Sequence, residues 1–167
     1  MPRCGSLRGK GAGPAGSREQ ALTTLLVDTS VLVKWFHSEG ESELAEARAI
    51  REATTVGDVQ ARVIDLALYE MGNVLLRALG WNASDVSDQL DDLVVICGPP
   101  LGIAADWLRT AAVIGETHRL TFYDAVSAAA AQGLGVSLVS ADTQLLAAGL
   151  AESPAAVAER LRLGHRH

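Results

Sequence analysis

The sequence predicts an α/β domain with a short parallel β-sheet flanked by helices. Two short apolar runs, at residues 22–28 and 136–140, suit strands that are buried on both faces. The longer segments between them carry apolar residues at helical spacing, with cap and turn residues at their ends. Strands that alternate with helices are typical of a parallel sheet covered by helices.

The first half of the chain supplies two strands. LTTLLVD (22–28) is the first, and Thr29 or Ser30 can cap the helix that follows through residue 37, because their hydroxyls accept bonds from free helical amides. The next predicted elements are a helix at 41–53 with its apolar residues on one side, a strand near 61–65, and an apolar helix at 66–79 that Gly80 ends.

The second half is mostly helical. The predicted elements in order are a helix at 84–96 capped by Ser84, a loop or short strand at 98–103, a helix at 104–118, an Ala-rich helix after Thr121, the strand at 136–140, and a last helix from Ser153. Pro154 supports that last start, since proline is favoured at the first helical position after a cap residue.

Length and composition indicate one domain. A chain of 167 residues with 49% hydrophobic content can bury a sizeable core, which we place at residues 21–167. Residues 1–20 are rich in Gly, Ser, Arg and Pro and lack a hydrophobic period, so we expect a disordered or non-native extension. No apolar run is long enough to span a bilayer, which predicts a soluble cytoplasmic protein. Two cysteines, Cys4 and Cys97, make a disulfide framework unexpected.

The net charge of −6 limits how the protein can bind a polyanion. Residues 1–20 carry an excess of basic side chains, so the rest of the chain is more acidic than the whole. An acidic body does not attract nucleic acid over a broad surface. Local basic residues or bound cations would have to hold a phosphate backbone.

Four carboxylates are expected to converge at one edge of the sheet. Asp28 ends the first strand, Asp142 follows the strand at 136–140, Asp124 opens the Ala-rich helix, and Glu70 interrupts an apolar helix. The carboxyl ends of parallel strands and the adjoining helix N-termini share the edge where ligands bind. Clustered carboxylates repel one another unless cations lie between them. Mg²⁺ prefers such oxygen ligands, and two such ions can promote phosphodiester hydrolysis.

Each carboxylate also has an ordinary structural interpretation. Thr121 and Asp124 resemble a capping box, while Asp28 and Asp142 could cap turns or helices. Glu70 is the hardest to explain this way, because a carboxylate on an apolar face is costly and an ion pair with Arg77 would be long. Capping and metal binding are compatible, since a cap can hold a carboxylate in place.

Three stretches together resemble one protein family. They are LLVDTSVLVKW (25–35), LALYEMGNVLLRAL (66–79) and LTFYDAVSAAAAQGLGVSLVSADTQLL (120–146). In their residues and spacing they are similar to PIN-domain ribonucleases, and specifically to VapC-type toxins of bacterial type II toxin–antitoxin pairs. The resemblance covers about residues 22–150 and implies a PIN-like three-layer α/β fold.

The resemblance also implies an activity and partners. Asp28, Glu70, Asp124 and Asp142 match the family's acidic metal-binding quartet, and Ser30, Asn73 and Ser140 match positions that support the site. Such proteins are Mg²⁺- or Mn²⁺-dependent endoribonucleases that cleave tRNA or rRNA and so stop translation. They form homodimers and are neutralised by a VapB-type antitoxin. The Gly/Arg leader and the glycine inside the Glu70 helix depart from the pattern but remove no acidic residue.

Basic side chains near the expected site are candidates for contact with RNA phosphates. They are Lys34, Arg48, Arg51, Arg77 and Arg119. Two other functions stay open from the sequence: a catalytically silent PIN-like module that binds RNA or protein, and an aspartyl phosphotransferase or phosphatase using Asp28. The second usually requires another acid two residues later, where this chain has Ser30.

Overall fold

Three parallel strands form the centre of the molecule. The computed structural model describes residues 22–40 and 42–164, so the predicted extension at 1–20 and Cys4 lie outside the described residues. The strands are β1 (Thr23–Val27), β2 (Val59–Arg62) and β3 (Ser137–Val139), in the order β2-β1-β3. β1 is therefore central and pairs in parallel with both neighbours.

Helices make up most of the remaining described chain. They are α1 (Thr29–Phe36), α2 (Leu44–Thr55), α3 (Asp65–Asn73), α4 (Ala83–Cys97), α5 (Ala105–His118), α6 (Phe122–Leu134), α7 (Thr143–Ala147) and α8 (Pro154–Leu161). A π-helical turn at Val74–Ala78 continues α3. The predicted α/β class, with a parallel sheet flanked by helices, is confirmed.

The core lies around β1. Leu25, Leu26 and Val27 are at most 2% exposed, as expected for a strand with neighbours on both sides and helices over it. In the ladder Leu26 pairs with Arg62 of β2 and with Leu138 of β3. This register brings the carboxyl ends of β1 and β3 side by side, just before Asp28 and Ser140.

Two single bridges extend the sheet beyond its named strands. Ile64 pairs in parallel with Leu101 beyond β2, and Glu152 pairs in parallel with Val139 beyond β3. The backbone amide of Glu152 donates to Leu138 O at 2.8 Å, and Ser140 N donates to Glu152 O at 3.0 Å. These segments satisfy backbone groups that edge strands would otherwise leave open.

The second strand begins earlier than predicted. β2 occupies Val59–Arg62 rather than 61–65, because pairing with β1 sets its register and buries Val59 and Ala61. Ile64 instead makes the bridge to Leu101, within the 98–103 segment that we predicted as a loop or short strand. Within 61–65 the apolar residues Ala61, Val63 and Ile64 are buried, but only Ala61 and Arg62 belong to the ladder.

Two predicted helix caps were wrong by one or two residues. Asp28, rather than Thr29 or Ser30, caps α1, and Asn82, rather than Ser84, caps α4 by accepting from Asp85 N. In both cases the residue outside the helix has the extended backbone that a cap requires. Ser153 with Pro154 begins α8 as predicted.

Two further observations concern the cysteine at the end of α4 and the character of the helices. Cys97 is 3% exposed at the end of α4, and burial raises the pKa of its thiol to about 12, so it behaves as a small apolar residue. Across residues 22–40 and 42–164, no helix is both long and apolar enough to cross a membrane.

Candidate active site

The candidate site lies where the chain changes direction across the sheet. From the central strand β1 the chain first moves to β2 on one side and later returns to β3 on the other. In parallel α/β sheets, ligands bind in the crevice outside the carboxyl ends of strands at such a switch point. Asp28 follows β1, and Ser140 to Asp142 follow β3, so both borders of this crevice carry candidate residues.

Asp28 is held by hydroxyl groups from both borders. Its Oδ2 accepts from Ser30 Oγ at 2.6 Å and from Ser140 Oγ at 3.0 Å, while its backbone amide donates to Val139 O at 3.0 Å. Ala141 N in turn donates to Ser30 Oγ at 2.9 Å. The two serines therefore join the ends of β1 and β3 through a single carboxylate.

Glu70 reaches this region from α3. Thr29 Oγ1, 8% exposed at the start of α1, donates to Glu70 Oε2 at 2.7 Å. Burial raises the pKa of Glu70; the Thr29 hydrogen bond opposes this, and the charges of Asp28 and Asp124 raise it further. Among the ion pairs between described residues, none joins Glu70 to Arg77, so the ion-pair interpretation of Glu70 fails.

Asp124 belongs to the cap of α6. Thr121 is the N-cap and accepts from Asp124 N at 3.2 Å, and its Oγ1 donates to Asp124 Oδ2 at 2.5 Å. Burial raises the pKa of Asp124 despite this bond, and the charges of Asp142 and Asp28 raise it further. The predicted pairing of Thr121 with Asp124 at the helix start is confirmed, and the cap fixes the carboxylate in position.

Asp142 caps the short helix α7. Its Oδ1 accepts from Gln144 N and Leu145 N, both at 2.9 Å, and its own amide donates to Ser140 Oγ at 3.0 Å. The N-cap interpretation of Asp142 is therefore confirmed. Because the adjoining Ser140 also bonds to Asp28, the caps of α1 and α7 are connected through one buried hydroxyl.

The carboxylates lie within range of one another's charge but do not form a closed cage. In the described part of the chain, no three His, Cys, Asp or Glu side chains are arranged to hold one ion together. In each of the four acids, the hydrogen bonds between described residues end on one carboxylate oxygen, and none of them ends on the other oxygen. This donor set fits Mg²⁺ or Mn²⁺ bound through few carboxylates and several waters, the habit of Mg²⁺ in proteins.

The remaining predicted site residues occupy different positions. Ser30 and Ser140 are part of the hydrogen-bond network of Asp28, whereas Asn73 is exposed at the end of α3. The basic candidates are also scattered. Arg48, Arg77 and Arg119 are exposed, Arg51 is half-buried, and Lys34 is only 3% exposed within α1.

Arg51 already has structural contacts. Its Nη1 donates to Trp35 O at 2.9 Å, and its guanidinium lies 4.7 Å from the centre of the Phe36 ring. Arg51 and the buried Lys34 are therefore less open to an incoming phosphate than the exposed arginines. Contact of any of the five with RNA stays a prediction.

Thr29 is the residue that sequence reasoning misplaced. Its position after Asp28 suggested a helix cap, but its hydroxyl serves Glu70, 41 positions away in the chain. The available signal was a hydroxyl residue in the first turn of a helix that begins at a candidate carboxylate. Which carboxylate it would contact depended on the packing of α1 against α3.

Comparison with solved structures finds this fold in proteins of low sequence identity. PAE2754 from Pyrobaculum aerophilum is 24% identical with a TM-score of 0.61, over 84% of this chain and 98% of that one. VapC20 from Mycobacterium tuberculosis, described as a toxin that cleaves the sarcin–ricin loop, is 19% identical with a TM-score of 0.57, over 75% and 95%. FitAcB from Neisseria gonorrhoeae is 17% identical with a TM-score of 0.56, over 77% and 95%.

Sequence comparison supplies the family. No curated protein matches the chain. The family model of the PIN domain, however, matches residues 25–150, a span that holds most of β1, all of β2 and β3, and all four candidate carboxylates. The chain therefore belongs to the PIN-domain family.

Proposed function

We propose that this protein is a divalent-metal-dependent endoribonuclease and the toxin of a toxin–antitoxin pair. The observation that carries the proposal is the grouping of Asp28, Glu70, Asp124 and Asp142 at the carboxyl edge of the sheet, where the charges of Asp28 and Asp124 act on Glu70. PIN-family membership and the similarity in fold to VapC20, described as an RNA-loop-cleaving toxin, support the same function.

In this mechanism the chain's own side chains position the reacting groups. Asp28, Asp124 and Asp142 are the candidate ligands of Mg²⁺ or Mn²⁺, and Glu70 orients the attacking water or supports a ligand. The bound ions would supply positive charge for the phosphate and lower the pKa of water at the scissile bond. Ser30 and Ser140 keep Asp28 in one orientation, and Thr29 and Thr121 do the same for Glu70 and Asp124.

The proposed setting follows from this activity. The enzyme would act in the cytoplasm on tRNA or rRNA, form a homodimer, and be neutralised by a VapB-type antitoxin bound near the site. The acidic body of the protein supports a role for the ions, since the net charge of −6 does not itself hold a polyanion.

Cleavage of RNA by purified protein tests the proposal. Total RNA is incubated with wild type and with Asp124→Asn, in Mg²⁺, in Mn²⁺ and in chelator, and the new ends are sequenced. Asp88→Asn is the matched control, because Asp88 is exposed on α4 and bonds to none of the four carboxylates. We expect discrete ends that require metal, a loss of about 100-fold or more in Asp124→Asn, as for removal of a group that stabilises the transition state, and full activity in Asp88→Asn.

Other outcomes point to other functions. Equal cleavage by wild type and Asp124→Asn would falsify the catalytic role of Asp124. RNA binding without cleavage in either metal would favour a silent binding module, and phosphate bound covalently to Asp28 would favour a phosphotransferase.

A further inference from the structure

Exposed aromatic side chains are confined to the neighbours of two site carboxylates. The chain has seven aromatic residues. Tyr69, Phe122 and Tyr123 are 75%, 49% and 61% exposed, whereas Trp35 is buried and the other three are half-buried. Tyr69 directly precedes Glu70, and Phe122 and Tyr123 directly precede Asp124.

The two groups of rings come from separate elements, and each group adjoins one candidate carboxylate in the chain. Tyr69 lies on α3, while Phe122 and Tyr123 are the first two residues of α6. Their carboxylate neighbours are close enough for the charge of Asp124 to act on Glu70. Phe122 and Tyr123 are not among the buried residues of α6, which begin at Ala125. Tyr69 is not among the buried residues of α3, which are Ala67 and Met71.

An acidic nuclease site gains from contacts that need no positive charge. An aromatic ring binds a nucleobase by stacking, which tolerates any base because every base has a flat face. Bases in a duplex are already stacked, so only unpaired bases in loops, bulges or ends can be splayed onto protein rings. The exposed basic candidates Arg77 and Arg119 would contact phosphates of the RNA backbone, while the rings would stack on the bases.

We propose that Tyr69, Phe122 and Tyr123 form a stacking surface that holds unpaired bases of the RNA beside the four carboxylates. The choice of RNA as ligand rests on the proposed function. The surface would make the enzyme select single-stranded segments and position the adjoining phosphodiester bond. It would add affinity with little dependence on salt, unlike contacts with phosphates.

Binding can be measured without cleavage. The full-length Asp124→Asn protein is titrated, in chelator, with a single-stranded oligoribonucleotide containing 2-aminopurine and with the same strand in a duplex. Single leucine substitutions are added to this protein: Tyr69→Leu, Phe122→Leu or Tyr123→Leu. Leucine keeps an apolar side chain but has no ring. Tyr69→Phe and Tyr123→Phe keep the ring. Val56→Ala is the control, because Val56 is 58% exposed just before β2, at the opposite edge of the sheet.

We expect the single strand to bind with quenching of the 2-aminopurine fluorescence, and the duplex to bind more weakly. Each leucine variant should lose about 10-fold in affinity, as for removal of one stacked ring, together with the quenching. The phenylalanine variants and Val56→Ala should stay within about 2-fold of the parent, well below the effect of one ring. All of these side chains are exposed, so unchanged melting temperatures would show that folding is not the cause.

Unchanged affinity and quenching in all three leucine variants would overturn the stacking surface. The proposed function and the stacking surface fail on different results. Ring-dependent RNA binding without cleavage by the wild-type protein would contradict catalysis alone. Cleavage that the leucine substitutions leave unchanged would contradict stacking alone.

Discussion

Asp28 accepts bonds from Ser30 and Ser140 while its backbone amide continues the hydrogen bonding of β1 to β3. Thr121 caps α6 and Asp124 lies in its first turn, while Asp142 caps α7. At residue scale, then, three of the four candidate ligands are part of helix starts. The carboxylates of Asp28 and Asp142 accept bonds from free backbone amides at these helix starts. The carboxylate of Asp124 is held instead by the hydroxyl of its cap residue Thr121.

At this scale the raised pKa values of Glu70 and Asp124 predict a cost in stability. Their folded-state pKa values lie above the ordinary 4.5 and 3.8, so folding binds the protonated forms better. The stabilising contribution of each protonated carboxyl group is complete below its ordinary pKa and is lost as the pH rises through its raised folded-state pKa. At pH 7 without metal, Glu70→Gln and Asp124→Asn should therefore have higher melting temperatures than wild type.

Melting curves in chelator between pH 3.5 and 7.5 check this. The gain should shrink as the pH falls toward the ordinary pKa values. Asp88→Asn, at an exposed position, should give no gain. A constant gain at every pH would mean that the substitutions act through packing rather than charge.

Thr29 provides a second prediction for a single side chain. Thr29→Val removes the hydroxyl that donates to Glu70 Oε2 but keeps the shape of the side chain. We expect a loss of about 1 kcal/mol in the free energy of unfolding, because a half-buried carboxylate loses its donor. Thr29→Ser keeps the donor and should lose less. Urea unfolding in chelator measures both, and a loss in Thr29→Val no larger than that in Thr29→Ser would contradict a stabilising role of the hydroxyl.

At the scale of elements, α6 is a close-packed helix held against α5. Its buried residues are a valine, a serine and five alanines, Ala125, Ala128, Ala129, Ala130 and Ala131. Gly133 continues this surface beneath Trp107 of α5, whose Cδ1 would be 2.7 Å from a Cβ placed on Gly133. The small side chains let α5 and α6 approach closely, and this packing fixes the position of the first turn of α6, which carries Asp124.

Gly133→Ala should therefore destabilise the protein by roughly 1 to 3 kcal/mol, the usual cost of overpacking, despite the helix preference of alanine. Gly72→Ala in α3 is the matched control. A Cβ there would meet Leu90 Cδ1 at 3.8 Å, an ordinary contact, so we expect a gain of up to about 1 kcal/mol. The denaturant midpoints of the two variants measure these changes in stability. A stabilised Gly133→Ala would show that Trp107 moves aside freely.

At the scale of the whole molecule, the strand order β2-β1-β3 brings distant parts of the chain to one edge. Asp28 and Asp142 lie beside each other because β1 and β3 are neighbours, although more than a hundred residues separate them. The four acids together make this edge a place of like charge. Divalent ions would relieve that repulsion and stabilise the folded chain as a whole.

Addition of Mg²⁺ should accordingly raise the melting temperature. Binding to the folded state alone contributes roughly 1.4 kcal/mol when the free ion is at about ten times its Kd. The rise should be smaller in Asp124→Asn, unchanged in Asp88→Asn, and absent with a monovalent salt at equal ionic strength. No rise in wild type at millimolar Mg²⁺, or an equal rise in Asp124→Asn, would contradict a metal site at these residues.

Much of the fold follows from local pattern. Neighbours in the chain are enough to predict the apolar runs around Leu25 and Leu138, the cap pairs Thr121–Asp124 and Ser153–Pro154, and Gly80 as the end of the Glu70 helix. All of these are found in the structure. The bounds of β2 and the π-helical turn after α3 were not predictable, because strand pairing and helix packing set them.

By itself, therefore, the sequence determined the α/β class, the central strands and the four carboxylates of the candidate site, since each follows from residue type and spacing. Tertiary structure alone decided which groups meet: Thr29 with Glu70, Ser140 with Asp28, and Trp107 with Gly133. The physical reason is that these contacts join segments far apart in the chain. Only the parallel register of three strands and the close packing of the helices bring them within bonding distance.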